Sequence, residues 1–223
     1  MLQDLRHARD FAAVRRVDGQ LPIIGGIQIQ SRASVGGNLC NSGPAADSTP
    51  SLIALGGVCV IAGPNGTREV PAEDFCTAPG KNVLEAGELL VEIKFPARAA
   101  NSGSHYRRFI PRNEMDIAVV GVGASVELDE SKQNFVSARI ALGAVAATPL
   151  FAQAAGDALA GQPVNDESIA KAGAAAKEIA TPITDMRGTA DYRKHLIGVL
   201  VERVVNAAVS QARGEAICYK PGH

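Results

Sequence analysis

Residues 34–47 hold the glycines and polar side chains best suited to chemistry in this chain. Gly36-Gly37 allows a backbone to approach a ligand closely, because no side chain is in the way. Ser34 and Asn38 flank the glycines with neutral hydrogen-bonding groups, and Asp47 follows as an acceptor for ribose hydroxyls. Successive N–H groups in such a turn form a concave nest for an anion such as pyrophosphate. The pattern predicts a nucleotide-phosphate loop, with a plain Gly/Asn/Pro turn as the alternative.

The spacing of these residues differs from that of the common phosphate loops. The chain contains no G-x-x-x-x-G-K-[ST], so a P-loop triphosphatase is disfavoured. Gly121 and Gly123 come near the G-x-G-x-x-G pattern of a Rossmann site, but the third glycine is missing and strand-forming residues follow. A dinucleotide site of that kind is therefore disfavoured as well.

Composition limits the remaining classes. Hydrophobic residues make up 46% of the 223 residues, which is enough for a core and argues against disorder. Aromatic residues are only 4%, Trp is absent and the net charge is −1, so neither base stacking nor a polyanion partner is indicated. The four cysteines form no C-x-x-C pair and the four histidines do not cluster, which predicts free thiols and no metal site.

The amino terminus lacks the apolar core of a signal peptide, and no apolar stretch is long enough to span a bilayer. We therefore expect a soluble cytoplasmic chain.

The hydrophobic periodicity predicts an α+β protein in which strands precede helices rather than alternating with them. The elements expected in the first part are a helix over 2–16, a phosphate loop within 27–40, a helix over 50–55 and strands over 58–62, 68–70 and 88–95. Those expected in the second part are strands over 105–110, 118–129 and 135–143 and helices over 151–160, 166–179 and 190–212.

The segment Ser34-Val35-Gly36-Gly37-Asn38, with Pro44 and Asp47, resembles the FAD-pyrophosphate motif of the flavin subunit of molybdenum hydroxylases. That family includes the xanthine dehydrogenase flavin domain and the medium subunit of carbon monoxide dehydrogenase. Further pieces similar to the family follow in its order across about residues 20–212: 50–54, 68–71, 74–75, 88–96, 106–108, 112–118, 141–149, 184–189 and 192–193.

The resemblance implies a two-domain organisation. Residues 1–100 correspond to the second half of a PCMH-type FAD-binding domain, and 104–213 to a flavoprotein C-terminal domain with a three-stranded antiparallel sheet and helices. A short tail, 214–223, follows. The family's first FAD subdomain bears a second Gly-rich loop, and nothing before Gly19 resembles it. We therefore expect a chain truncated at its amino terminus relative to the family.

The resemblance also implies the cofactor-binding residues. The turn would bind the pyrophosphate, Asp47 would face the ribose or ribityl hydroxyls, and Arg108 stands where relatives carry a lysine near the flavin. Leu90 would line the adenine or flavin environment, and Ile24 would cover the ring system. The full predicted set is Ile24, Ser34, Val35, Gly36, Gly37, Asn38, Asp47, Leu90 and Arg108. No catalytic residue and no metal ligand is expected in the chain itself.

The implied function is that of an FAD-carrying electron-transfer subunit in a heterotrimer. A large subunit would hold molybdopterin, a small subunit would hold 2Fe-2S clusters, and the acceptor would be NAD, a quinone or oxygen. One alternative is a truncated, non-catalytic remnant that acts as an assembly or interaction module. Another is a phosphate-binding module of unrelated function.

Several charged residues also have a purely structural interpretation. Arg108, Arg112 and Asp116 are compatible with a salt-bridged strand edge. Asp185 and Thr189 are residue types that cap helices, and Tyr192 and Arg193 would then pin the last helix to the sheet.

Overall fold

The computed structural model describes residues 29, 32–112 and 115–215. The first elements along the chain are α1 (Val35–Cys40), α2 (Thr49–Ala54), β1 (Val58–Gly63), β2 (Gly66–Pro71), α3 (Ala72–Phe75), β3 (Cys76–Ala78), β4 (Lys81–Asn82) and β5 (Leu89–Lys94). Strands β2, β1 and β5 form an antiparallel sheet in that order, and β3 pairs with β4 in a separate ribbon. The helix predicted over 2–16 and the predicted site residue Ile24 lie outside the described residues.

Strand β1 lies at the centre of the first sheet because its side chains are apolar. Cys59 and Ile61 are fully buried and pack with Leu52 of α2 and with Phe75. The turn into β2 places Gly63 opposite Gly66, which takes a φ of 112° that favours glycine. The strands predicted over 58–62, 68–70 and 88–95 and the helix predicted over 50–55 are confirmed.

A bidentate ion pair ties β2 to the segment before β5. The Arg68 guanidinium donates from Nε to Glu88 Oε1 over 2.8 Å and from Nη2 to Glu88 Oε2 over 2.7 Å. The backbone N–H of Glu85 donates to the same carboxylate over 2.8 Å. The hydrogen bonds from Arg68, helped by that from Glu85, lower the pKa of Glu88 from 4.5 to about 2.

Replacing the Glu88 carboxylate should reduce the dependence of the free energy of unfolding on pH in the acid range. Because the pKa of Glu88 is lower in the folded state, its contribution is complete above the ordinary value of 4.5 and is lost as the pH falls toward about 2. Urea unfolding across that window should show Glu88→Gln less stable than wild type at neutral pH, with the difference vanishing in acid. Glu69→Gln, which breaks the half-exposed pair with Lys94, is the matched control and should leave the profile unchanged.

The second part of the chain is built on one antiparallel sheet. Its strands are β6 (Ser102–Phe109), β7 (Val120–Leu128), β8 (Phe135–Gly143) and β9 (Leu150–Phe151), hydrogen-bonded in sequence order. The three long strands confirm the prediction. The fourth was not predicted, because two residues are too few for a strand periodicity to be visible. It pairs Leu150 with Leu142 and Phe151 with Ala141 at the edge of β8.

Three helices cover one face of this sheet: α4 (Gln153–Asp157), α5 (Asp166–Glu178) and α6 (Ala190–Arg213). Helix α4 is shorter than the predicted 151–160, since Phe151 belongs to β9. Helix α6 packs its apolar stripe on β6 and β7. Gly103 makes this contact possible, because a Cβ there would lie 1.9 Å from the Ala208 carbonyl oxygen. None of the helices in the described ranges combines the length and apolar character needed to cross a membrane.

Arg193 pins the start of α6 to the sheet. Its guanidinium is buried and donates to the carbonyl oxygens of Val119 (2.7 Å) and Ala144 (3.2 Å) and to Asp185 Oδ1 (2.7 Å). Thr189 caps the helix by accepting from the Tyr192 N–H. The Tyr192 ring packs edge-on against Phe109 of β6, so the structural interpretation of Thr189, Tyr192 and Arg193 is confirmed. Asp185 is not the helix cap and instead accepts from Arg193.

Helix α2 lies on the face of the large sheet opposite to α5 and α6. At Gly123 a Cβ would meet the Pro50 carbonyl oxygen at 2.8 Å, and at Gly143 it would meet the Pro50 ring at 2.9 Å. Gly123 therefore allows close packing of the helix on the sheet. This role agrees with the prediction that Gly121 and Gly123 do not belong to a Rossmann site. Arg139 adds a polar tie, since it donates to the Ile53 carbonyl oxygen and to Glu73 while stacking over Phe151.

Candidate functional site

The segment 34–40 begins with an N-cap. Ser34 has extended backbone angles, its Oγ accepts from the Gly37 N–H over 3.0 Å, and its carbonyl oxygen accepts from the Asn38 N–H over 3.0 Å. The expectation of a loop throughout this segment was wrong from Val35 onward, because helix α1 begins there. Two glycines disfavour a helix, but the Ser34 cap and the complete burial of Leu39 outweigh that cost.

The cap leaves a small set of hydrogen-bond donors unused. The N–H groups of Val35 and Gly36 stand at the first two helical positions, and neither has a partner among the residues that the structure describes. The Gly37 N–H is already used by Ser34. The Ser34 hydroxyl, which accepts one bond through Oγ, still has its own proton to donate. These donors lie at the cap and first turn of α1, where the chain is partly or fully open to solvent.

The space beside the Gly36 backbone is open except on the side of Leu90. A Cβ on Gly36 would meet only Leu90 Cδ2, at an ordinary contact distance of 3.7 Å. A Cβ on Gly37 would instead lie 2.9 Å from Ser34 Oγ and would push the cap aside. The two adjacent glycines therefore have different reasons to be small: Gly37 protects an internal contact, whereas nothing in the described fold requires Gly36.

The side chain of Asn38 is held from one side only. Ser48, itself buried, donates from Oγ to Asn38 Oδ1. No hydrogen bond from Asn38 Nδ2 is formed within the described ranges. The amide thus offers two N–H donors close to the Val35 and Gly36 N–H groups, which no described residue uses.

Asp47 belongs to a buried ion pair. Arg108 Nη1 donates to Asp47 Oδ2, and the Tyr106 hydroxyl donates to Asp47 Oδ1 over 2.7 Å. The side chains of Asp47 and Arg108 are only 10% and 8% exposed. Burial raises the pKa of Asp47, while the charge of Arg108 and the Tyr106 hydroxyl oppose the rise. The carboxylate therefore adds no uncompensated negative charge beside the turn.

The structure brings the predicted site residues together, apart from Ile24, which it does not describe. A Cβ built on Gly36 would reach Leu90 Cδ2, so Leu90 lies close to the glycine. Ser48 donates to Asn38 and follows Asp47 in the chain, and Asp47 pairs with Arg108. The partners found for Asp47 and Arg108 give both side chains a structural role, as the salt-bridge interpretation of Arg108 allowed. Their roles toward a cofactor stay predictions.

Sequence reasoning missed two residues of this network, Ser48 and Tyr106. Ser48 stands directly before a helix and its type predicts only a cap. Tyr106 had a signal that was not used: it lies two residues from Arg108 on β6, and strand side chains at that spacing share a face. Farther along, Arg112 and Asp116 form the predicted salt bridge.

Three of the four cysteines, Cys40, Cys59 and Cys76, lie near one another as free thiols. Burial, and the neighbouring thiols in turn, raise the pKa of Cys59 to about 12. Burial also raises the pKa of Cys40 and of Cys76. No group of three or more His, Cys, Asp or Glu side chains able to hold a metal ion occurs in the described part of the chain.

Cys59 should therefore be inert in the folded protein. Only the thiolate is nucleophilic, and with a pKa of about 12 roughly one molecule in ten thousand carries it at about pH 8. Peptide mapping after treatment with iodoacetamide should find Cys59 unmodified in native protein and fully modified in urea. Rapid labelling of native protein would contradict the buried position of this thiol.

Two family profiles together match nearly the whole chain. The profile described as "FAD binding domain in molybdopterin dehydrogenase" matches residues 2–98, and the one described as "CO dehydrogenase flavoprotein C-terminal domain" matches residues 104–208. The resemblance seen in the sequence starts at about residue 20, and the first profile extends the match back to residue 2.

Individual relatives agree with both profiles. The chain is 33% identical over 193 residues to the xanthine dehydrogenase FAD-binding subunit of Escherichia coli O157:H7, covering 86% of this chain and 65% of that protein. It is 35% identical over 186 residues to the carbon monoxide dehydrogenase medium chain of Afipia carboxidovorans, covering 83% and 64%. The chain thus spans somewhat less than two thirds of the length of these relatives.

The fold agrees with solved structures as well. Carbon monoxide dehydrogenase from Hydrogenophaga pseudoflava superposes with a TM-score of 0.88 at 33% identity, covering 94% of this chain and 72% of that chain. Quinoline 2-oxidoreductase from Pseudomonas putida 86 superposes with a TM-score of 0.81 at 29% identity. The α+β fold class and the predicted resemblance are confirmed.

Proposed function

We propose that this chain, which belongs to the family of FAD-binding subunits of molybdenum hydroxylases, binds FAD through the cap and first turn of α1 (Ser34–Asn38) and serves as the electron-transfer subunit of such an enzyme. The observation that carries the proposal is the grouping of donors that no described residue uses: the N–H groups of Val35 and Gly36, the Ser34 hydroxyl and the Asn38 amide. All lie at one solvent-accessible turn that Leu90 lines from the neighbouring strand.

These donors fit a diphosphate. A diphosphate presents several strong acceptor oxygens close together, and backbone N–H groups bind them without filling the space that the phosphates need. The Asp47 carboxylate, next to Ser48 in the chain, is neutralised by Arg108 and so does not repel an anion. When bound, FAD would supply one- and two-electron chemistry, and the residues of this chain would orient it and limit the access of water.

The rest of the assembly follows from the same membership. We propose a heterotrimer in which a large subunit holds molybdopterin and oxidises the substrate, while a small subunit relays electrons through 2Fe-2S clusters. NAD, a quinone or oxygen would accept the electrons, and the complex would act in the cytoplasm. The names of the relatives support a multi-subunit arrangement, since they denote a medium chain and an FAD-binding subunit.

Titration of the purified 223-residue chain with FAD tests the first step. We expect flavin absorbance to stay with the protein through gel filtration, and ADP, which carries the diphosphate, to compete better than FMN, which does not. Folded protein that retains no flavin, yet co-purifies with the large and small subunits, would favour an assembly module instead. Equal binding of mononucleotides with no preference for FAD would favour an unrelated phosphate-binding module.

A further inference from the structure

Ser48 departs from the role that its position predicts. It is the N-cap residue of α2, yet its hydroxyl makes no capping hydrogen bond. Pro50 stands at the second helical position and has no N–H to offer, and the Ser51 N–H bonds to the Ser48 carbonyl oxygen. The hydroxyl of this buried serine is instead directed to Asn38, ten residues earlier, where it donates to Oδ1.

The Ser48 hydrogen bond determines which end of the Asn38 amide is available to a ligand. Because the amide is planar, holding Oδ1 against Ser48 leaves Nδ2 on the opposite side, where no described residue accepts from it. Donation to the carbonyl end of an amide also polarises its N–H groups and strengthens the bonds that they make. A freely rotating asparagine could turn its oxygen toward an anion and repel it.

The position of Ser48 depends in turn on its neighbour. Asp47 is fixed by Tyr106 and Arg108, which both lie on β6 in the second part of the chain. We propose that Ser48 is a positioning residue that directs the Asn38 amide toward the diphosphate, and that β6 reaches the site through Asp47 and Ser48. This inference rests on the proposed binding of FAD.

A matched pair of serine variants tests the inference. Ser48→Ala should weaken FAD binding about tenfold, which is the effect of one lost hydrogen bond. Ser51→Ala removes a hydroxyl from a serine inside α2 that is as buried as Ser48 but has no hydrogen-bond partner for Oγ among the described residues. It should bind FAD as wild type does. Melting temperatures measured on both variants report whether either loses stability.

A double-mutant cycle separates positioning from a general structural effect. If Ser48 acts through Asn38, adding Ser48→Ala to Asn38→Ala should change the FAD dissociation constant by less than about twofold. Ser48→Thr, which keeps the hydroxyl, should restore binding. Equal affinities for Ser48→Ala and Ser51→Ala, or a full tenfold loss in the Asn38→Ala background, would overturn the inference while leaving the proposed function intact. A wild-type chain that binds no FAD would overturn both.

Discussion

Gly36→Ala should abolish detectable FAD binding in a protein that remains fully folded. The added Cβ meets only Leu90 Cδ2 at 3.7 Å, so the fold accommodates it. Alanine is also a better helix former than glycine by about 1 kcal/mol, and Gly36 lies in the first turn of α1. The methyl group would, however, occupy the space through which a diphosphate must approach the Val35 and Gly36 N–H groups. We expect an affinity at least 100-fold lower than that of wild type, because several hydrogen bonds are lost together.

FAD titration of Gly36→Ala tests the expected loss of binding, and urea unfolding tests whether the variant remains folded. Gly43→Ala is the matched control, since it lies in the same segment and its Cβ would meet only Asn41 Nδ2 at 3.5 Å. That variant should bind FAD normally. Gly37→Ala is unsuitable as a control, because it displaces the Ser34 cap. Wild-type affinity in Gly36→Ala would show that the cofactor does not approach this turn.

Arg108→Met should have the largest effect on stability, a loss of about 3–5 kcal/mol. The substitution leaves Asp47 buried at 10% exposure with only the Tyr106 hydroxyl as a partner. Lys94→Met breaks an ion pair in which both side chains are about half exposed, and it should cost at most about 1 kcal/mol. A similar small loss for Arg108→Met in urea unfolding would contradict a buried pair. The double variant Asp47→Asn with Arg108→Met should recover part of the loss, since no uncompensated charge is left.

The loss in Arg108→Met should also depend on pH. Burial already raises the pKa of Asp47, and removal of the arginine takes away the main opposing influence. Because a carboxyl with a raised pKa keeps its proton longer in the folded state, its contribution to stability is lost as the pH rises through the folded pKa. The variant should therefore be closest to wild type near or below the ordinary aspartate pKa of 3.8 and least stable at neutral pH.

The sequence predicted correctly those helices and strands whose caps and hydrophobic periodicity can be read within a few residues. The bounds of β8 match the prediction, and α5 and α6 match within one residue because Asn165 and Thr189 are strong caps. Helix α1 was missed because two glycines mask it. The predicted site residues came from an ordered set of motif matches; apart from Ile24, which lies outside the described residues, they lie near one another, and their roles toward a cofactor stay predictions.

The partner of Asp47 could not be predicted in this way. Arg108 is 61 residues away along the chain, and only the packing of α2 against the large sheet brings the two together. The hydrogen bond of Ser48 was missed for a related reason: its residue type is satisfied by a helix cap, and only the geometry shows that the hydroxyl points elsewhere.

The packing of Pro50 of α2 against Gly123 and Gly143 has a consequence for biosynthesis. The ribosome makes the chain from its amino terminus, so the phosphate turn and α2 emerge long before β7 and β8 exist to receive Pro50. Until about residue 143 has left the exit tunnel, Pro50 has no completed sheet to pack against, and Asp47 lacks its partners until β6 has emerged. If the chain binds FAD as proposed, cofactor capture follows late in synthesis, and exposed apolar surface needs the most protection by chaperones before it.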